Sequence, residues 1–161
     1  MPIRASDRRR LRQIYAFACG YCGISESETG SELTVDHFVP LAHGGTDDIA
    51  NLVYACHACN EFKADHFNQS ETRRILHPLN ENLDEHLVEN EDGSLSGRTP
   101  VGEFHIALLH LNRPPLIRDR LGRRILQAIV TTNAQLAVEV NDLKNLLHEI
   151  LIRIDRNTPL E

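Results

Sequence analysis

Apolar residues recur along this chain with more than one period, and each period predicts a different kind of element. Over residues 6–18, Leu11, Ile14, Tyr15 and Ala18 return at helical spacing, with Ser6 placed to cap the first turn. Residues 33–39 form a short β-type run stopped by Pro40. The loop LAHGGTDD follows, broken by Gly44-Gly45, and Asp47 or Asp48 is placed to cap the segment IANLVYAC. NEFKADHF then reads as helix. Residues 67–99 are polar and acidic, and HLVENEDGSLSGRT within them predicts a hairpin turning at Asp92-Gly93. Thr99 as cap and Pro100 at the first position start a helix over VGEFHIALLHLN, which Pro114-Pro115 stop.

From residue 116 to about 154 the pattern is one long helix with a heptad seam. Ile129, Leu136, Leu143 and Ile150 form one series, and Asn133, Val140, Leu147 and Ile154 the other. Asn133 takes one seam position, as a register-setting polar residue does. The seam fits a coiled coil, joining a homodimer or a helical protein partner through residues 116–156. The alternative is an amphipathic helix folded onto its own domain.

Charge changes the picture by its distribution. The chain has 161 residues and a formal net charge of -6, which taken alone argues against a nucleic-acid partner. Yet Arg4, Arg8, Arg9, Arg10 and Arg12 cluster near the start, and Arg113, Arg118, Arg120, Arg123 and Arg124 form a second group, with Glu81, Asp84, Glu85, Glu89, Glu91 and Asp92 elsewhere. Arginine-rich basic groups suit phosphate. No apolar run reaches the roughly 18–20 residues that span a bilayer, and no signal-type apolar stretch follows the basic start, so a cytoplasmic protein is expected.

The cysteines then read as metal ligands. Cys19/Cys22 and Cys56/Cys59 are two C-x-x-C pairs, and a reducing compartment disfavours disulfides between them. Two such pairs at this separation predict a four-thiolate structural Zn2+ site. A closed site of this kind staples a small fold and leaves no position for substrate.

Between and around these pairs runs DHFVPLAHGGTDDIANLVYACHACNEFK. Asp-His, then Pro and paired Gly, then Asn-Leu, then C-x-x-C followed by Asn and a Lys resembles the HNH endonuclease family over residues 19–63. SGRTPVGEFHIALLHLNRPPLI resembles the downstream region of free-standing bacterial members. The resemblance implies a ββα-metal centre. With the elements read above, an α+β fold is expected: a small zinc-stapled HNH module over residues 1–66 with its basic helix, a hairpin and helix extension over 67–115, and a long amphipathic helix over 116–161, whose heptad tail beyond about residue 125 lies outside the resemblance. It implies a metal-dependent DNA endonuclease leaving 5′-phosphate and 3′-hydroxyl ends. Asp36 and Asn60 would be ligands of a catalytic Mg2+ or Mn2+, with Asn60 standing where many relatives carry His. His37 would be the general base, and Asn51 would hold the loop and orient the His37 ring. Lys63, His43, Arg8, Arg9 and Arg12 are the candidate DNA contacts; His57 and His66 are left without a role. With few base-reading elements in view, low sequence specificity is expected. Two other readings stay open: a nuclease subunit of a larger assembly such as an anti-phage system, and a catalytically silent zinc-containing DNA-binding module.

Overall fold

The computed structural model describes residues 3–157, and the chain divides after Arg120 into two compact units. The first helix, α1 (Ala5–Ile14), begins one residue before Ser6, because the chain enters from an extended Arg4; no side chain caps it. Ser6 therefore lies inside the first turn and is not the cap expected of it. Leu11 is its buried contact. The helix also ends earlier than expected. Ala16 (φ 49°) and Phe17 (φ 60°) swing the backbone into the left-handed region, and Ala18 bridges to Ser25 instead of closing a fourth turn. Ser25 and Glu28 then form a reciprocal capping box for the single turn α2 (Glu26–Thr29).

Strands β1 (Thr34–His37) and β2 (Leu52–Ala55) pair antiparallel, with His37 opposite Leu52 and Asp36 opposite Val53. All four residues of β2 are buried, so this strand is the floor of the unit. Helix α3 (His57–Lys63) packs against β1. The second cysteine knuckle supplies its first turn: Cys56 Sγ accepts the Cys59 amide, so the helix starts before Asn60. It stops at Lys63, short of the residues to 67 read as helical, because Ala64 (φ 48°) turns the chain out. Neither Asp47 nor Asp48 caps a helix with its side chain: Asp48 precedes a single short turn over Ile49–Asn51, and its carboxylate accepts instead from Thr46 Oγ1 at 2.7 Å.

Beyond the single turn α4 (Leu83–His86), strands β3 (Leu87–Glu89) and β4 (Leu95–Gly97) form the hairpin turning through Asp92-Gly93, with Gly93 at φ 78°. Thr99 caps α5 (Pro100–Leu108) by accepting the Gly102 amide. A Cβ at Gly102 would lie 2.1 Å from the His86 carbonyl oxygen, so glycine is what lets α5 approach the hairpin. The buried core joins both halves of this unit: Leu11, Leu52, Val53 and Tyr54 pack with Ile75, Ile106, Leu109, Leu111 and Leu116.

Helix α6 (Pro114–Asn157) starts within the first unit. There Arg120 is buried, donating to Gly93 O at 2.6 Å and Leu111 O at 2.8 Å. It is a core tether, not a surface cation of the second arginine group. From Gly122 to Arg153 every residue is exposed, the heptad positions included. The last seam position, Ile154, lies outside the residues whose side chains are described. No helix of the described residues is long and apolar enough to cross a membrane.

Candidate functional site

The four cysteines meet where the turn after α1 touches the β2–α3 junction. Gly20 N–H donates to Tyr54 O at 2.8 Å, which holds the first knuckle against β2. All four thiols are free, and their sulfurs lie within 4.8 Å of one another. They are the one group of three or more His, Cys, Asp or Glu among the described residues able to hold an ion. The Cys22–Cys56 sulfur separation of 3.7 Å is far beyond a disulfide bond. It matches the roughly 3.8 Å edge of a tetrahedron with ~2.3 Å zinc–sulfur bonds. The donor set and its spacing fit Zn2+.

One partner of this cluster comes from outside the motif. Arg113 Nη2 lies 3.4 Å from Cys59 Sγ, 3.6 Å from Cys56 Sγ and 3.8 Å from Cys22 Sγ. Burial works against the charged Arg113, but its bonds to Cys59 and the other sulfurs outweigh this and raise its pKa. A permanent cation against three sulfurs offsets part of the excess negative charge of a four-thiolate site. Arg113 belongs to the Leu-Asn-Arg-Pro segment, so that segment has a structural reason of its own.

The second constellation lies on β1 and the facing side of α3. Asp36 is buried, and its carboxylate accepts the Tyr21 hydroxyl at 2.6 Å on Oδ2. Lys63 Nζ lies 3.0 Å from Oδ2 and 3.2 Å from Oδ1, and donates to His37 O at 2.7 Å. Burial pushes the Asp36 carboxyl above its ordinary range, against the Lys63 charge and the Tyr21 bond. Lys63 is 1 % exposed. The expectation that it contacts DNA phosphate is therefore corrected: its charge is spent inside, on Asp36. Asn60 stands one turn before Lys63 on α3, and its amide makes no side-chain hydrogen bond among the described residues.

His37 is partly exposed beside Asn51, but the two rings of contacts are separate. His37 Nε2 pairs with Asp47 Oδ1 at 2.8 Å. Asn51 instead bonds the loop backbone three times: Oδ1 accepts Val39 N–H at 2.9 Å, and Nδ2 donates to Val39 O at 3.0 Å and Thr46 O at 2.8 Å. Asn51 thus ties Val39 to Thr46, and among the described residues its side chain makes no hydrogen bond to the His37 ring that it is expected to orient. Gly45 belongs to the same closure, since a Cβ there would lie 1.8 Å from Val39 O. Asp47 is a site residue that the sequence does not reveal. Its only signal in the chain is an acidic pair in a glycine-broken loop, and nothing there points back ten residues to His37.

The expected DNA contacts fare unevenly. Arg12 is committed to Glu26 through two bonds of 2.8 and 2.7 Å and to Glu32 at 2.9 Å, which offset its charge. Arg8 donates to Leu33 O at 2.9 Å while remaining partly exposed. Arg9 and His43 are exposed, His43 with its ring 5.8 Å from that of Phe67. His57 is exposed and pairs with Glu61 at 3.2 Å; His66 packs against Phe104.

Residues 19–66 match the family model of the HNH endonucleases, a stretch that contains the four cysteines and the Asp36–Lys63 constellation and covers less than half of the chain. No curated protein and no solved structure matches the chain.

Proposed function

Taking an HNH endonuclease domain at residues 19–66 as the premise, we propose that the protein is a metal-dependent DNA endonuclease in which His37 takes a proton from the attacking water. One observation carries this reading: the His37 ring is held at Nε2 by the Asp47 carboxylate, and its Nδ1 has no partner among the described residues. A carboxylate only accepts, so in the neutral ring Nε2 bears the hydrogen and Nδ1 keeps its lone pair for a proton. Asp47 is thus a positioning residue, and Asn51 acts through it by fixing the loop that carries it.

Asp36 and Asn60 would hold the catalytic Mg2+ or Mn2+. Asp36 Oδ1 accepts only the 3.2 Å bond from Lys63, and the Asn60 amide is free of side-chain bonds among the described residues. Carboxylate and amide oxygens suit such hard ions. The bound ion supplies charge neutralisation at the phosphorus and the leaving oxygen. Tyr21 and Lys63 fix the Asp36 carboxylate, and Lys63 also ties down the His37 carbonyl, so base and ligand move as one piece. Arg9, Arg8 and His43 would meet phosphate, contacts that position DNA without reading its sequence, and the exposure of Arg9 and His43 supports this. Cleavage of low sequence specificity, leaving 5′-phosphate and 3′-hydroxyl ends, completes the proposal. A cytoplasmic setting belongs to it, since free thiols persist in reducing compartments.

The engagement of Asp36 by both Tyr21 and Lys63 favours a second reading, a zinc-containing DNA-binding module without cleavage. Supercoiled plasmid incubated with Mg2+, Mn2+ or EDTA separates the two. The proposal expects nicking or linearisation with added ion only, and none from a folded His37→Ala variant. Retention of plasmid on the protein without cleavage under either ion supports the module and overturns the nuclease.

A further inference from the structure

Helix α6 carries thirteen large apolar side chains between Ile125 and Ile152, each more than a third exposed; Leu143 is 65 % exposed. They are not spread evenly. With Leu126, Asn133, Val140 and Leu147 as the a positions of a heptad, Ile129, Leu136, Leu143 and Ile150 fall at d. Ile125, Thr132, Glu139 and Leu146 then fall at g, and Val130, Ala137, Lys144 and Leu151 at e. In a parallel pair each g residue meets the e residue five positions on in the other helix.

We propose that α6 pairs with α6 of a second copy of this chain, parallel and in register over residues 125–151. The flanking positions are self-complementary in that register and in kind. Ile125 meets Val130 of the partner subunit, Thr132 meets Ala137 of the partner subunit, and Leu146 meets Leu151 of the partner subunit. Glu139 meets Lys144 of the partner subunit, an opposite-charge pair made twice across the two-fold axis. Asn133 meets Asn133 of the partner subunit, so each amide finds the other in an otherwise apolar seam.

The antiparallel alternative that overlaps the same seam fails on the same residues. Matching Leu126 with Ile150 sets Asn133 against Leu143, burying an amide without a partner. It also sets Glu139 against its own copy and Lys144 against Val130. The charge pattern thus selects a second copy over an unrelated helix, and the parallel arrangement over its reverse.

The test is the mass of the full chain in solution, with Glu139→Lys, Lys144→Glu and the double exchange. Both positions are exposed, and neither belongs to the metal sites or the core. The expected mass is twice 18.2 kDa. Each single reversal places like charges together at two points and weakens the dimer on the order of tenfold, and the double exchange restores it. A chain that stays monomeric at all concentrations, a larger assembly, or a dimer that the double exchange does not restore overturns the proposal.

Discussion

Two constellations share the segment from Cys19 to Lys63, and they are built in opposite ways. The four cysteines are closed: sulfurs within 4.8 Å, a cation from Arg113 against three of them, and main-chain bonds fixing each knuckle. Nothing is left over to meet a substrate. Around His37 the supporting groups are saturated while the atoms proposed to do the chemistry are not. Tyr21, Lys63 and Asn51 spend their polar atoms on the frame, and His37 Nδ1 and the Asn60 amide remain without side-chain partners among the described residues. Satisfied donors hold a fold together. Chemistry needs donors and ligands held in place but unused.

The largest effect of that division belongs to the closed site. Cys59→Ser removes a ligand from a site whose metal contributes ~10–16 kcal/mol in comparable small folds, as much as an ordinary domain's whole stability. The unit ending at Arg120 should lose its cooperative thermal transition, read by near-ultraviolet dichroism. A variant that melts like the native chain would make the cysteines dispensable.

His37→Ala should act the other way round. Cleavage is expected to fall about 10²–10⁴-fold with the melting temperature nearly unchanged. Comparable loss of fold and activity would erase the distinction between the two regions.

Acid offers a sharper comparison, because falling pH protonates zinc thiolates in any such protein. His105 adds a separate contribution from α5. Burial, ahead of all other influences, lowers it to about 4, and Leu76 N–H donates to its Nδ1 at 3.0 Å. Its unfolded value is near 6.5, so the unfolded chain binds the extra proton first as pH falls. Its stabilisation is complete above pH 6.5 and is lost between there and pH 4, about 3 kcal/mol in all. His105→Asn, which keeps an acceptor for Leu76, should flatten denaturation midpoints across that window without altering zinc content. An unchanged slope would mean that acid acts through the thiols alone.

Arg113→Met should leave the cysteines in place and speed loss of zinc to a chelator by about 10–100-fold, with Arg113→Lys recovering part of the difference. Asp47→Asn should be the mildest. It keeps a hydrogen bond to His37 and removes the charge, so cleavage should drop about tenfold with metal content intact. If Asp47→Asn matches His37→Ala in severity, Asp47 does more than orient the ring.

Much of this arrangement is legible along the chain, and what is not shares one property. The cysteine pairs announce themselves because local spacing carries their meaning, as does the Thr99-Pro100 helix start, whereas the Asp-His, Asn and Asn set is legible only through its resemblance to a known family. Asn51 is read as a loop holder through that same resemblance. Lys63 cannot be read as buried, because its partner Asp36 sits 27 residues away and meets it only once α3 packs on β1. The Asp47 contact to His37 depends on the hairpin register, and the Arg113 contact to Cys22 spans 91 residues. The end of α1 escapes notice too, since residues 15–18 keep helical periodicity while Ala16 and Phe17 take left-handed φ values.

The most direct test of two separate centres is metal content and cleavage measured on one dialysed sample. The account predicts one zinc retained per chain, no plasmid cleavage, and cleavage restored by Mg2+ or Mn2+ with the zinc still bound. Full cleavage without any added ion, or cleavage restored in a chain that has lost its zinc, would contradict it.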